Sequence, residues 1–274
     1  NDKKKIELTL QSPLAAGQSI FLNYSAGDIQ ALDGEQLAGF NNYAVTNKVA
    51  ALIYNSDGFG FSGIMSGTPL GDDVSMTGYG AWPSGFSKGN YAFIGGVFDG
   101  QNIWMIPNVA DRIIKVNKST GAMTGYSNWP VGFNKGDWAF YGGVFDGQNI
   151  WMVPGRADRI VKVDKDTGAM TGYNNWPVGF NKGDLAFCGT VFDGQNIWMI
   201  PRNADRIIKV DKNTGVMTGY SDWPAGFTKG TNAFAGGVFD GQNIWLIPMD
   251  ADRIIKIDKD TGVMTGYNNW PSGF

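Results

Sequence analysis

Apolar and polar residues alternate in short runs along most of the chain, with turn residues between the runs. From Ala92 onward the runs are Phe93–Phe98, Gln101–Ile106, Asp111–Asn117 and Ala122–Tyr126. Each has the length and two-residue period of a β-strand. Asp99-Gly100 between the first two is a tight-hairpin signal. Pro107 closes the second run, and Lys118-Ser119-Thr120-Gly121 separates the third from the fourth. Trp129-Pro130-Val131-Gly132-Phe133 then hands the chain to the next set of strands. Nowhere does a long stretch carry a helical period.

The set repeats. Met-Thr-Gly-Tyr begins at Met76, Met123, Met170, Met217 and Met264, a step of 47 residues each time. Asp-Gly-Gln-Asn-Ile-Trp begins at Asp99, Asp146, Asp193 and Asp240, and Trp-Pro-x-Gly-Phe at Trp82, Trp129, Trp176, Trp223 and Trp270. Four short strands per unit of this length predict a propeller blade. The expected fold is all-β: a β-propeller of five four-stranded blades over 49–274. A degenerate first blade would occupy 49–91, with Val49–Tyr54 and Phe59–Met65 as strands around a turn at Asn55–Gly58. Regular blades would follow at 92–138, 139–185, 186–232 and 233–274. A stacked solenoid fits less well, since it needs capping units and shows shorter repeats. The closing words Trp270 to Phe274 are those that elsewhere lead into another blade, so an array cut from a longer one is the alternative to closure at five.

Residues 1–48 have their own pattern. Ile6–Leu10 alternates, Pro13–Gly17 reads as a turn and Ser19–Tyr24 as a strand. Leu8-Thr9-Leu10, Pro13 to Gln18, the Asp33-Gly34 turn and Ala44-Val45-Thr46-Asn47 resemble the end of the Ig-like repeats of long bacterial surface proteins. That resemblance implies a partial β-sandwich segment and an extracellular, cell-surface location. Two or three strands are barely stable alone. A trimmed fragment is the expected explanation, and self-association through these N-terminal strands is a second possibility.

The wording Phe-Asp-Gly-x-Asn-Ile-Trp, followed by Ile-x-Lys-Val-Asp-x-x-Thr-Gly, runs through 92–274. It resembles the propeller repeats of bacterial surface proteins, relatives of the NHL and virginiamycin B lyase propellers. The resemblance implies the fold, and a fold does not fix an activity. Such lyases use a catalytic histidine, and this chain of 274 residues has none. The repeat length also matches that of tachylectin-type lectins, although the wording differs.

Composition narrows the functions further. Forty glycines beside 14% aromatic residues suit short strands, tight turns and ring-filled gaps between sheets. A net charge of −3 with no basic stripe argues against nucleic acid, and Lys3-Lys4-Lys5 reads as a solvated terminus. No run approaches the ~20 apolar residues of a membrane span. The single cysteine, Cys188, excludes an internal disulfide and stands where other copies have Ile94, Tyr141 and Ala235. Without histidine, and with one cysteine, metal and triad chemistry lack raw material. No catalytic residue, metal or cofactor is expected. Asp164-Lys165-Asp166 and Asp258-Lys259-Asp260 superficially match a calcium loop, but turn chemistry accounts for them.

Three sets of side chains are candidates for function or for packing. The pairs Asp111-Arg112, Asp158-Arg159, Asp205-Arg206 and Asp252-Arg253 are expected to be structural, with Asp on turn amides and Arg over an aromatic ring. The corners Asn128-Trp129, Asn175-Trp176, Asp222-Trp223 and Asn269-Trp270 offer an aromatic face beside a polar group, which suits a sugar; packing between blades is the competing role. Copies also differ after the strand-ending proline (Asn108-Val109, Gly155-Arg156, Arg202-Asn203, Met249-Asp250) and in the return loop (Asn90-Tyr91, Asp137-Trp138, Asp184-Leu185, Thr231-Asn232). If these form one contact face, Tyr91 and Trp138 are its natural anchors. The resulting expectation is a non-enzymatic surface propeller that binds glycans or another surface protein. Its rivals are a structural module of a surface layer or filament and, for want of a base, more remotely a lyase-like enzyme.

Overall fold

The computed structural model describes residues 77–273 in full, and the backbone of the strands Phe21–Tyr24, Phe40–Ala44, Ile53–Tyr54 and Gly60–Phe61. The chain divides into two compact units, Asn1–Thr77 and Gly78–Phe274.

In the first unit Phe21–Tyr24 pairs antiparallel with Phe40–Ala44, with Phe21 opposite Ala44 and Tyr24 opposite Phe40. Ile53–Tyr54 pairs antiparallel with Gly60–Phe61, and the expected turn at Asn55–Gly58 lies outside the described residues. The Ile6–Leu10 strand and the Pro13–Gly17 turn lie outside the described residues, as does most of the degenerate blade.

The second unit contains four sheets of four strands, each an antiparallel meander in chain order. The first regular blade is Phe93–Phe98, Asn102–Pro107, Ile113–Asn117 and Met123–Tyr126. The second spans Phe140 to Tyr173, the third Phe187 to Tyr220, the fourth Phe234 to Tyr267. Strand limits match the sequence expectation closely. The third strand begins at Ile113 rather than Asp111, because Asp111 and Arg112 leave the ladder to pair with each other. The first strands of successive blades neighbour one another, so they are the inner strands.

The core lies between blades. One face of the first blade supplies Trp104, Ile106 and Ile113, and the facing side of the second supplies Ile150, Met152, Val161 and Val163. Trp151, Val153 and Ile160 meet Ile197, Met199, Ile208 and Val210 at the next junction. Trp198, Ile200 and Ile207 meet Ile244, Leu246, Ile255 and Ile257 at the third. Burial of rings and branched chains in this way supplies the main favourable term.

A tyrosine locks each junction at its outer edge. Tyr126 stacks on Trp104 of its own sheet at 5.4 Å. Its ring then lies against Gly168 of the next blade, at φ +72°, where an added Cβ would collide with it. Tyr79 on Gly121, Tyr173 on Gly215 and Tyr220 on Gly262 repeat the contact.

Candidate functional site

The repeated words are structural. Asp99 closes the first hairpin by accepting from Gln101 N at 2.8 Å and Asn102 N at 2.6 Å through Oδ1. Its Oδ2 accepts the indole N–H of Trp104 at 2.7 Å. Burial opposes ionisation of this carboxyl, but the bonds from Trp104, Asn102 and Gln101 prevail and hold its pKa at about 2. Asp146, Asp193 and Asp240 hold Trp151, Trp198 and Trp245 in the same way.

The Asp-x-Asp turns are likewise occupied by the chain itself. Asp164 Oδ1 accepts from Asp166 N, Thr167 N and Thr167 Oγ1, and Gln148 Nε2 donates to Oδ2. Among the described residues no cluster of three acidic or cysteine side chains is placed to hold a metal ion.

The Asp-Arg pairs differ from the expectation in one half. The arginines do lie over corner rings: Arg112 over Phe86, Arg159 over Phe133, Arg206 over Phe180 and Arg253 over Phe227, at 5.5 to 5.9 Å. Each also donates to a corner carbonyl, as Arg159 Nη2 does to Gly132 O at 3.1 Å. The aspartates, however, accept from the adjacent guanidinium rather than from turn amides, as in Asp158 with Arg159 at 2.7 Å.

Trp129, Trp176 and Trp223 each sit at a different blade junction. Trp129 Nε1 donates to Asp111 O at 3.0 Å, and its ring stacks on Phe140 of the following blade at 6.0 Å. Trp176 bonds Asp158 O and stacks on Phe187, and Trp223 stacks on Phe234. Trp270 Nε1 donates to Asp252 O at 3.0 Å. Beside them Asn128, Asn175, Asp222 and Asn269 are exposed. Asp222 and Trp223 line a cavity of about 510 Å³ with Tyr220, Pro224, Thr261 and Gly262.

Tyr91 and Trp138 are brought together, with ring centroids 5.3 Å apart. They belong to a belt of backbone hydrogen bonds that crosses the blades. Asn108 N donates to Ala92 O, Ala139 N to Asn108 O, Gly155 N to Ala139 O and Ala186 N to Gly155 O. The chain continues with Arg202 N to Ala186 O, Ala233 N to Arg202 O and Met249 N to Ala233 O. The positions that differ between copies therefore lie along one end of the blades, opposite the Asp-Gly hairpins. Lys135, Lys182 and Lys229 brace the belt by donating to Asn108 O, Gly155 O and Arg202 O. Burial lowers all three ammonium pKa values, that of Lys229 to about 8.

The return-loop residue has φ near +50° in every blade: Tyr91 51°, Trp138 57°, Leu185 48° and Asn232 47°. Non-glycine residues other than Asn rarely adopt this conformation, and its recurrence in all four loops makes it part of the repeated turn. Trp138 also stacks on Tyr141 at 6.4 Å, and the Arg202 guanidinium lies over the Tyr141 ring, 5.8 Å from its centroid. Tyr91, Trp138, Tyr141 and Arg202 thus make a ladder across three blades. Sequence reasoning set Arg202 among the positions that differ between copies and noted Tyr141 only as a counterpart of Cys188, without joining either to the aromatic pair. The signal available for them was the same mismatch between copies that exposed Trp138. Nearby, Lys135, Asp137, Arg156 and Asp158 line a cavity of about 290 Å³.

No protein-family model matches the chain, and no curated protein matches it. Solved structures do. A catalytically inactive virginiamycin B lyase from Staphylococcus aureus, solved with quinupristin, is 18% identical over 93% of this chain and 74% of its own, with a TM-score of 0.52. The chain is a β-propeller. A streptogramin B lyase superposes with a TM-score of 0.45 at 20% identity, over 67% of this propeller and 56% of the lyase. The extracellular domain of a putative hybrid two-component system from B. thetaiotaomicron gives 0.44 at 13% identity, over 66% and 23% of the two chains. The propeller thus spans little more than half of the streptogramin B lyase chain. Among its described residues no helix is long and apolar enough to cross a membrane.

Proposed function

We propose that this propeller is a non-enzymatic, extracellular binding module that takes a carbohydrate at the end of the blades where its copies differ. The observation that carries the reading is the ladder Tyr91–Trp138–Tyr141–Arg202, which is present once in a fourfold repeat and whose first two rings stand on left-handed backbone. Aromatic faces suit the apolar faces of sugars, and Tyr91 is 71% exposed. The absence of histidine from the chain supports a binding role over catalysis, and the Ig-like wording of 1–48 supports a surface location. The reading puts the site at the ladder ahead of the corners, where Trp129, Trp176 and Trp223 each stack on a phenylalanine.

A glycan array probed with the full chain tests this. The reading expects binding that is lost in Trp138→Ala while the melting temperature is kept. Loss only in the double variant Trp129→Ala, Trp176→Ala would return the site to the corners, and no binding at all would reject a carbohydrate ligand.

A second reading, a protein partner, is favoured by Val131 and Val178, which are 100% exposed at the tips of adjacent corners. Pull-down of a surface protein that depends on both valines would support it.

A further inference from the structure

The chain has six arginines. Arg112, Arg156, Arg159, Arg206 and Arg253 are each ion-paired with an aspartate at 2.7 to 2.9 Å. Arg202 has no carboxylate partner among the described residues. Its Nε donates to Asn232 Oδ1 at 2.9 Å, and its guanidinium lies over Tyr141. The two terminal amino groups, Nη1 and Nη2, have no protein acceptor among those residues.

The exception has a local cause. In the second blade Arg156 reaches across its junction to Asp184 in the return loop of the third. Arg202 stands one residue earlier in its repeat, at the place of Gly155, and reaches across the next junction to Asn232, the counterpart of Leu185. Thr231 stands where the second junction has Asp184, so this loop offers no carboxylate, and Asn232 takes only the inner edge of the guanidinium. Asn232 is itself held: its N–H donates to Asn203 Oδ1 at 2.8 Å, and Asn203 Nδ2 donates to Asp184 O at 2.8 Å. The outer fork of Arg202 is therefore aimed by a fixed network, and little ordering remains to oppose ligand capture.

A guanidinium fork with both terminal groups open matches a planar carboxylate through two parallel hydrogen bonds. On the same end of the propeller stand Trp138 and Tyr91, whose faces suit a sugar ring. We infer that the site takes an acidic saccharide, with Arg202 Nη1 and Nη2 on the carboxylate of a uronate unit and the pyranose of that unit or its neighbour against Trp138 or Tyr91. The inference rests on the carbohydrate reading and deepens it. A sulfate ester is an alternative source of negative charge, and its tetrahedral oxygens fit the flat fork less well.

The test is calorimetric titration of the full chain with an oligogalacturonate, its methyl ester, and a sulfated galactan oligosaccharide. The acid is expected to bind at least tenfold tighter than the ester and to weaken as salt rises. Arg202→Gln is expected to bring the acid down to no more than the affinity of the ester, and Arg202→Lys to keep only part of the preference. Equal affinity for acid and ester, with binding of both, would overturn the inference and leave the carbohydrate reading standing. Tighter binding of the sulfated probe would overturn the carboxylate assignment. Binding of none of the three across a full glycan array would remove both readings together. The acid-to-ester comparison needs no variant, so it decides the matter even if Arg202→Gln fails to fold.

Discussion

The indole N–H of Trp151 donates a 2.7 Å hydrogen bond to Oδ2 of Asp146, five residues earlier. The other oxygen, Oδ1, accepts from Gln148 N and Asn149 N and so fixes the hairpin. One carboxylate thereby ties the innermost turn of the blade to the largest ring in its core. A fully buried indole needs such an acceptor, since an unmade bond there is costly.

Asp146→Asn tests the tie. An amide keeps one acceptor oxygen and puts an N–H₂ where the second acceptor stood, so either the turn amides or the indole loses its partner. The expected loss is about 2 kcal/mol in urea unfolding. Unchanged stability would mean that water replaces the carboxylate without cost.

Acid should weaken the fold. The Asp99, Asp164 and Asp211 carboxyls sit at about 2, against about 3.9 in an unfolded chain. A depressed folded value means that the stabilisation is complete above about pH 4 and is lost as pH falls toward 2. The urea midpoint is expected to drop steadily across that window, and less steeply in Asp99→Asn. A midpoint that stays level down to pH 2.5 would contradict the assignment.

Gly168 and Gly132 share a φ of +72°, but only Gly168 has a ring against it, that of Tyr126. Gly132→Ala is expected to cost about 1 kcal/mol from backbone strain. Gly168→Ala should add ~1–3 kcal/mol by displacing the tyrosine from the junction. Equal melting temperatures for the two variants would show that the ring moves aside freely.

Tyr91 separates backbone strain from side-chain loss. Both Tyr91→Ala and Tyr91→Gly remove the ring, but only alanine keeps a Cβ at φ 51°. The glycine variant should be the more stable of the two by roughly 1 kcal/mol. Should alanine prove equal or better, the left-handed loop is not under strain. Both variants are expected to bind the glycan less tightly than the parent chain.

The apolar alternation, the Asp-Gly turns and the 47-residue step were enough to place the strands of the four regular blades within two residues. They suffice because strand period and turn chemistry are local and act over a few neighbouring residues. The mismatches between copies also marked Tyr91 and Trp138 as a pair before any geometry was known.

What the sequence leaves open is every choice that depends on the facing blade. Trp129 and Trp138 are both tryptophans beside a polar residue, yet one stacks on Phe140 at a junction and the other stands in the ladder with Tyr91 and Tyr141. Arg156 and Arg202 differ in role because Asp184 lies across from one and Asn232 across from the other. These partners are separated by about 30 residues, and no local pattern encodes which of them meet. The arrangement of successive blades decides it, because it sets similar loops side by side and leaves their differences to find, or lack, a counter-charge.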